Sequence, residues 1–181
     1  MKKKLNSAEL EAKIEQQRAR TFNGLSAAEW ASLSRSVWND VSSIRAKKHL
    51  DHGATYPEKL CNRLMQMYSA VGDTVLDPFL GTGTTVVAAI KCGRNGIGIE
   101  LTDRFYSVAE ISISEITNNS QISVFDQSIN ATPTLLKGDC CEVLKDIETE
   151  SVQLTITSPP YADLIHKVVE DRTLRHKKSR F

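Results

Sequence analysis

Two short stretches carry residue types that could do chemistry. In the first, Asp77-Pro78-Phe79-Leu80-Gly81-Thr82-Gly83-Thr84-Thr85, the glycines let the backbone turn sharply and approach a ligand with no side chain in the way. From Thr84 onward the residues read as an apolar helix, whose free N–H groups point at such a ligand. Glu100 closes the following strand, 17 residues after Gly83, where an acid accepts hydrogen bonds from both hydroxyls of a ribose. The third glycine of a dinucleotide fingerprint is missing, with Val86 in its place, and no lysine follows the glycines as a P-loop requires. NAD and nucleoside triphosphates therefore both lose ground.

The second stretch is Thr157-Ser158-Pro159-Pro160-Tyr161. Two prolines directly after an apolar strand forbid further ladder pairing and hold a rigid loop. They leave the Pro159 carbonyl and the Ser158 hydroxyl free to accept hydrogen bonds. Tyr161 adds a flat aromatic face. That combination suits a planar base with an exocyclic amine: two acceptors take its N–H protons while the ring stacks. Taken alone, the same residues also make a strand-ending turn. Their pairing with the first stretch is what favours the chemical reading.

The elements that must position these residues follow from the pattern. Residues 74–101, TVLDPFLGTGTTVVAAIKCGRNGIGIEL, read as a buried strand, a glycine turn, an apolar helix and a second strand ending in an acid: a β-α-β unit for a nucleotide-like cofactor. Upstream, Asn6 with Glu9 and Ser26 with Glu29 are capping signatures for helices over 7–20 and 27–35, the first highly charged and peripheral. Residues 37–56 are irregular, and 52–57 read as a loop closed by Pro57, which can occupy the first turn of a helix over 58–70 with Leu60, Leu64 and Met67 at helical spacing. Val71-Gly72-Asp73 ends that helix. Residues 118–131 read as a polar surface connection. A third strand is expected at 134–136, a short helix at 141–147 and a fourth strand at 152–157. Strands alternating with helices argue for a parallel, doubly wound α/β sheet with ligands at the carboxyl ends of the strands.

A chain of 181 residues suits one core. Its 40% hydrophobic and 25% charged residues fit an ordinary globular protein rather than a disordered or collagenous one. No apolar run approaches the roughly 20 residues that span a bilayer, and MKKKLNSAEL leads into a charged helix rather than the apolar core of a signal peptide, so a cytoplasmic protein without membrane contact is expected. Cys61, Cys92, Cys140 and Cys141 form no CxxC pair and have no histidine at zinc-ligand spacing. Free, mostly buried thiols and no metal are the expectation. The net charge of +1 conceals a basic end, where Lys167, Arg172, Arg175, Lys177, Lys178 and Arg180 face only Glu170 and Asp171. Such a run is a solvated face or a phosphate-tracking segment.

With both stretches in this order, the chain resembles the amino-methylating DNA methyltransferases, which move a methyl group from S-adenosyl-L-methionine to N4 of cytosine or N6 of adenine. The resemblance rests on 77–85 for the cofactor loop, 157–161 for the catalytic loop and 52–57 for a substrate-side cofactor segment, and it covers roughly residues 36–181. It implies a Rossmann-like S-adenosylmethionine-dependent methyltransferase fold, with residues 1–35 as an N-terminal helical extension. By that likeness Asp77, Phe79, Gly81, Gly83 and Thr84 cradle the methionine part of the cofactor, Thr55 and Pro57 close over it, Glu100 binds the ribose and Asp139 meets the adenine amine. Ser158, Pro159, Pro160 and Tyr161 form the catalytic loop, and serine at 158 resembles the cytosine-N4 subgroup of restriction-modification methyltransferases.

Family members continue beyond the catalytic loop with three more strands and a region that recognises the DNA sequence. The expectation here is therefore an incomplete sheet of about four strands, lacking its C-terminal part, completed in a split enzyme by a second polypeptide or truncated outright. Three alternatives stay open at this stage: an adenine-N6 enzyme, a methyltransferase for RNA or protein amines, and a non-catalytic subunit that keeps affinity for cofactor or DNA.

Overall fold

The computed structural model describes residues 6–41, 56–118 and 131–159. The expected positions 55, 160 and 161, most of the 52–57 loop and the basic end lie outside them. Both capping signatures form as expected. Asn6 Oδ1 accepts the Glu9 N–H at 2.8 Å while Glu9 Oε2 accepts the Asn6 N–H at 3.0 Å, opening α1 (Ser7–Arg18). Ser26 and Glu29 repeat the exchange at the start of α2 (Ala27–Leu33). Arg18 Nη2 donates to Glu29 Oε1 at 2.5 Å, which with the Ser26 hydroxyl holds the Glu29 carboxyl down at about 2. This pair is solvent-exposed and contributes little stability.

α1 and α2 bury no helical residue in common with the core. α2 docks on α3 (Glu58–Tyr68) through Trp30, edge-on to Tyr68 at 6.0 Å, and the connection between α1 and α2 through the Asn23 side-chain amide, which donates to the Met67 carbonyl at 2.7 Å. Pro57 is the residue before the first turn of α3 rather than within it. The buried face of α3 holds Cys61, Met65 and Met67, with Leu64 only partly buried. The face is thus turned by about one residue from the Leu60–Leu64 stripe, because Cys61 and Met65 are the side chains that fit against the small residues of the next helix.

The sheet is parallel throughout and has the order β3-β2-β1-β4. β1 (Thr74–Asp77) lies at the centre, paired with β2 (Asn95–Glu100) from Thr74↔Asn95 to Asp77↔Gly98. β2 pairs in turn with β3 (Pro133–Lys137), from Gly96↔Pro133 to Glu100↔Lys137. β4 (Leu154–Thr155) pairs on the other side of β1. Flanking bonds from Gln153 N to the Thr74 carbonyl and from Ile156 N to the Leu76 carbonyl, both 3.0 Å, carry β4 over most of the expected 152–157 stretch.

α4 (Thr84–Lys91) crosses from β1 to β2, and α5 (Asp103–Asn118) from β2 to β3. α5 has no counterpart among the sequence expectations. Two apolar clusters result. Cys61, Met65, Val75, Ala88, Ala89 and Ile156 join α3 and α4 to the central strands, and Leu80, Val86, Ile90, Ala109 and Ile113 join α4 to α5. The short helix after β3 begins at Cys140, one residue before its expected start, as α6 (Cys140–Val143) followed by a 3-10 turn, Leu144–Asp146. No helix among the described residues is long and apolar enough to cross a membrane.

Arg94, just before β2, is buried and forms no ion pair among the described residues. Its guanidinium donates to the Cys92 carbonyl at 2.5 Å, the Ser69 carbonyl at 2.8 Å and the Ser69 hydroxyl at 3.2 Å. Those carbonyls end α4 and α3, where helix carbonyls have no partner of their own. The arginine therefore ties the two helix ends together. Arg94→Met is expected to lower stability by about 3 kcal/mol, because buried carbonyls lose their donors; calorimetric melting checks this, and an unchanged Tm would refute the role.

Candidate functional site

The carboxyl ends of all four strands point to one edge, and each delivers a residue singled out above. β1 ends at Asp77 and enters the glycine loop, β2 ends at Glu100, β3 runs through Gly138 to Asp139, and β4 leads to Ser158 and Pro159. The β1–β4 register, Leu76↔Thr155 with Ile156 N on the Leu76 carbonyl, places the Ser158 loop beside the start of the glycine loop. Ser158 is half-buried and Pro159 exposed.

The two carboxylates act first on the loop itself. Asp77 is 1% exposed. Its Oδ1 accepts the Phe79 N–H at 3.1 Å, and its Oδ2 accepts the Thr85 hydroxyl at 2.5 Å and the Tyr56 hydroxyl at 2.8 Å. Tyr56 and Thr85 also touch through their hydroxyls. Glu100 reaches across from β2, with Oε2 accepting the Gly81 N–H at 2.8 Å and Oε1 the Thr102 N–H at 2.9 Å. The Leu80 N–H goes to the Ile99 carbonyl and the Gly83 N–H to the Leu80 carbonyl. The amides of residues 79, 80, 81 and 83 are therefore all committed to protein acceptors.

This matters for ligand chemistry. A phosphate-binding loop keeps its amides free and aims them inward as a nest of positive charge. Here the amides of 79, 80, 81 and 83 are spent on protein acceptors, two of them carboxylates, so this part of the loop is a shelf that offers no nest to a triphosphate and, like the missing lysine, disfavours one. Gly83 is the turn's pivot: its φ of 95° is left-handed, and a Cβ there would lie 3.1 Å from the Ala109 Cα. Gly98 admits Leu80, whose Cδ2 would lie 2.4 Å from a Cβ at that position. The shelf can sit this close to β2 only because β2 lacks a side chain there.

Gly81 and Gly83 are buried, Thr84 is half-buried and Phe79 is exposed at the loop's tip. Asp139 is exposed and caps α6, its Oδ1 accepting the Cys141 N–H at 2.8 Å. Its carboxylate and the thiols of Cys140 and Cys141 lie within 4.8 Å of one another, the one such donor group among the described residues. Contact with Cys140 and the charge of Asp139 push the Cys141 thiol up, away from the thiolate that a metal requires. The expectation of mostly buried thiols fails in part: Cys61 is buried, whereas Cys141 is exposed and Cys92 and Cys140 are intermediate. Adjacent residues at a strand-to-helix joint cannot both face inward.

Sequence reasoning missed Tyr56 and Thr85. Tyr56 stands between Thr55 and Pro57, so its neighbourhood was visible, but its partner lies 21 residues away. Below it, burial and then the charge of Asp77 push the Cys61 thiol up to about 12. Its folded value lies above the unfolded one, near 8.5. The linked stability is thus fully present below that pH and is lost as pH rises toward about 12. Unfolding free energies from urea titrations at pH 8 to 10 are expected to fall in the native chain by at most about 1.4 kcal/mol per pH unit from this group, and less steeply in Cys61→Ala. Parallel slopes in the two proteins would refute the coupling.

A model of the DNA methylase family of N6 and N4 methyltransferases matches residues 1–111. The type II methyltransferase M.BglI of Bacillus subtilis is 36% identical over 134 residues, covering 72% of this chain and 38% of that protein. M.MthZI of Methanothermobacter thermautotrophicus is 47% identical over 85 residues (44% of this chain, 23% of that protein). M.MjaI of Methanocaldococcus jannaschii is 53% identical over 78 residues (42% and 26%). A Thermus thermophilus protein crystallised with S-adenosyl-L-methionine aligns with a TM-score of 0.44 at 26% identity, covering 75% of this chain and 43% of that one. The chain matches well under half the length of these relatives. With the family match spanning more than half of it, and the glycine loop and terminal acid of β2 both in place, the chain belongs to the N6/N4 DNA methylase family.

Proposed function

We propose that this chain holds S-adenosyl-L-methionine at the β1–β2 edge and contributes it to methylation of an exocyclic base amine in DNA, N4 of cytosine in our reading, within a restriction-modification system. The observation that carries the proposal is the glycine loop, with its amides at 79, 80, 81 and 83 committed to protein acceptors, next to a terminal acid on β2. The cofactor carries no phosphate but has a ribose diol, an adenine amine and a zwitterionic tail. The residues present fit it: Glu100 has used one lone pair on Oε2 for Gly81 and one on Oε1 for Thr102, and keeps the others for two ribose hydroxyls. The α4 N-terminus and Thr84 would face the carboxylate of the methionine tail, Phe79 would cover it, and Asp139 would accept from the adenine amine. Thr55 and Pro57 are the proposed closing segment.

When bound, the cofactor supplies an electrophilic methyl on a sulfonium. The protein's part is alignment and electrostatics. A base inside a duplex must be flipped out before its amine can be reached. Ser158 Oγ and the Pro159 carbonyl would accept the amine's N–H groups, favouring a pyramidal nitrogen and stabilising the positive charge that grows on it. Pro160 holds the loop rigid, and Tyr161 would stack on the base. Serine at 158 supports the cytosine-N4 reading.

Residues 1–35 are proposed as an extension resting on α3, with 36–181 as part of the methyltransferase domain. Among the described residues β4 pairs only with β1, and an open strand edge invites pairing. We place further strands there, from the same polypeptide or a second one, together with the DNA-recognition region. The protein would work in the cytoplasm, where its DNA is. The test is transfer from labelled S-adenosylmethionine to mixed-sequence DNA, with nucleosides identified by mass spectrometry. N4-methylcytosine supports the reading in full, N6-methyladenine keeps the class and overturns the subgroup, and methylated RNA or protein with unmodified DNA overturns the substrate.

A further inference from the structure

We propose that Tyr56 is a positioning residue that sets the cofactor loop through Asp77, coupling the segment before α3 to the loop. The role rests on the reading of that loop as a cofactor shelf. Asp77 is a carboxylate almost without solvent, and among the described residues its oxygens meet two hydroxyls and one loop amide. A buried carboxylate needs each of its donors. The Tyr56 and Thr85 hydroxyls and Asp77 Oδ2 form a triangle of contacts in which two protons serve three pairs, and together the two hydroxyls, from different elements, hold that end of the carboxylate. Held this way, the carboxylate presents its other oxygen, Oδ1, to the Phe79 N–H at 3.1 Å. The phenol therefore acts on the loop at one remove.

The surroundings suit a permanent donor. The Tyr56 ring packs against the cluster of Cys61, Met65, Val75, Ala88, Ala89 and Ile156. Burial, and then the charge of Asp77, raise the phenol above its ordinary range, so it keeps its proton through neutral and mildly alkaline pH. A phenylalanine would fill the same space and lose only the donor. Asp77 would then be free to turn toward its remaining donors and release Phe79 at the tip of the shelf.

The decisive experiment is hydrogen exchange by NMR on the full 181-residue chain without cofactor, comparing wild type with Tyr56→Phe and with Thr85→Val, which removes the other donor to Oδ2. In both variants the Phe79 amide is expected to exchange about tenfold faster, while amides of the β2–β3 ladder keep their protection. Unchanged exchange at Phe79, or equal acceleration of the ladder, overturns the proposal. Calorimetry then measures S-adenosylhomocysteine binding. Tyr56→Phe is expected to weaken it about tenfold, and to add nothing on an Asp77→Asn background. Binding within twofold of a wild type that does bind overturns the proposal. A wild type that fails to bind overturns the cofactor reading instead, while exchange at Phe79 still decides whether Tyr56 sets the loop.

Discussion

Replacing Glu100 with alanine is expected to weaken binding of S-adenosylmethionine and S-adenosylhomocysteine by 100-fold or more. Two effects add. In the proposed site the ribose would lose two hydrogen bonds to a charged acceptor, each worth roughly 1.5–3 kcal/mol. The Gly81 N–H, buried and bonded to Oε2 at 2.8 Å, also loses its partner, so the shelf loosens before any ligand arrives. Glu100→Gln separates these effects. Its carbonyl oxygen can stay on the Gly81 N–H while its NH2 faces Thr102 and gives up that one bond, so the glycine loop should hold while affinity still falls by about tenfold. Titration calorimetry and a thermal melt on each variant give the comparison. Native affinity in Glu100→Ala would remove the acid from the site and with it the assignment of the β2 terminus.

The second large effect is expected at Ser158. In a preparation that methylates DNA, Ser158→Ala should reduce turnover about 10²–10³-fold, the range found when one preorganised hydrogen-bonding group is removed from a developing charge. Cofactor affinity should stay within about twofold, since Ser158 leaves β4 and Glu100, the proposed ribose acid, ends β2, with β1 between them. The measurement is single-turnover methylation alongside cofactor titration. Equal losses in both would mean that Ser158 supports the cofactor loop rather than the base, and full activity would sink the catalytic assignment.

The committed amides of the loop give these two predictions a common basis. Asp77 and Glu100 end adjacent strands, and each spends part of its carboxylate on the backbone that the ligand must meet. Substituting either acid therefore tests structure and affinity together, whereas Tyr56→Phe and Ser158→Ala each remove a single hydroxyl. Binding, exchange and turnover measured on the same variants would separate the shelf from the reacting end.

Much of this molecule could be read from local sequence because local physics decides it. Both capping pairs formed because a short polar side chain and a glutamate three residues later solve the same local problem in any context. The β-α-β unit was legible because buried strands and an apolar helix leave their periods in the chain, and because the glycine turn needs a left-handed residue at position 83. α5 was not legible: Ile111-Ser112-Ile113-Ser114 alternates like a strand, yet in the helix Ser112 and Ile113 face inward while Ile111 is 56% exposed. The Cys61–Met65 face of α3 was hidden for a related reason, since only packing against α4 selects cysteine and methionine over nearby leucines.

Sequence alone thus determined the fold class, the strand-ending residues and the family resemblance, all of which depend on contacts within a few residues or on spacing along one unit. Tertiary structure decided what those residues do to each other. The Tyr56–Asp77 contact spans 21 residues, Gly81–Glu100 spans 19 and Arg94–Ser69 spans 25. Such pairings depend on strand register and helix placement, and a chain's local pattern does not encode which distant donor will face a buried carboxylate until the sheet has closed around it.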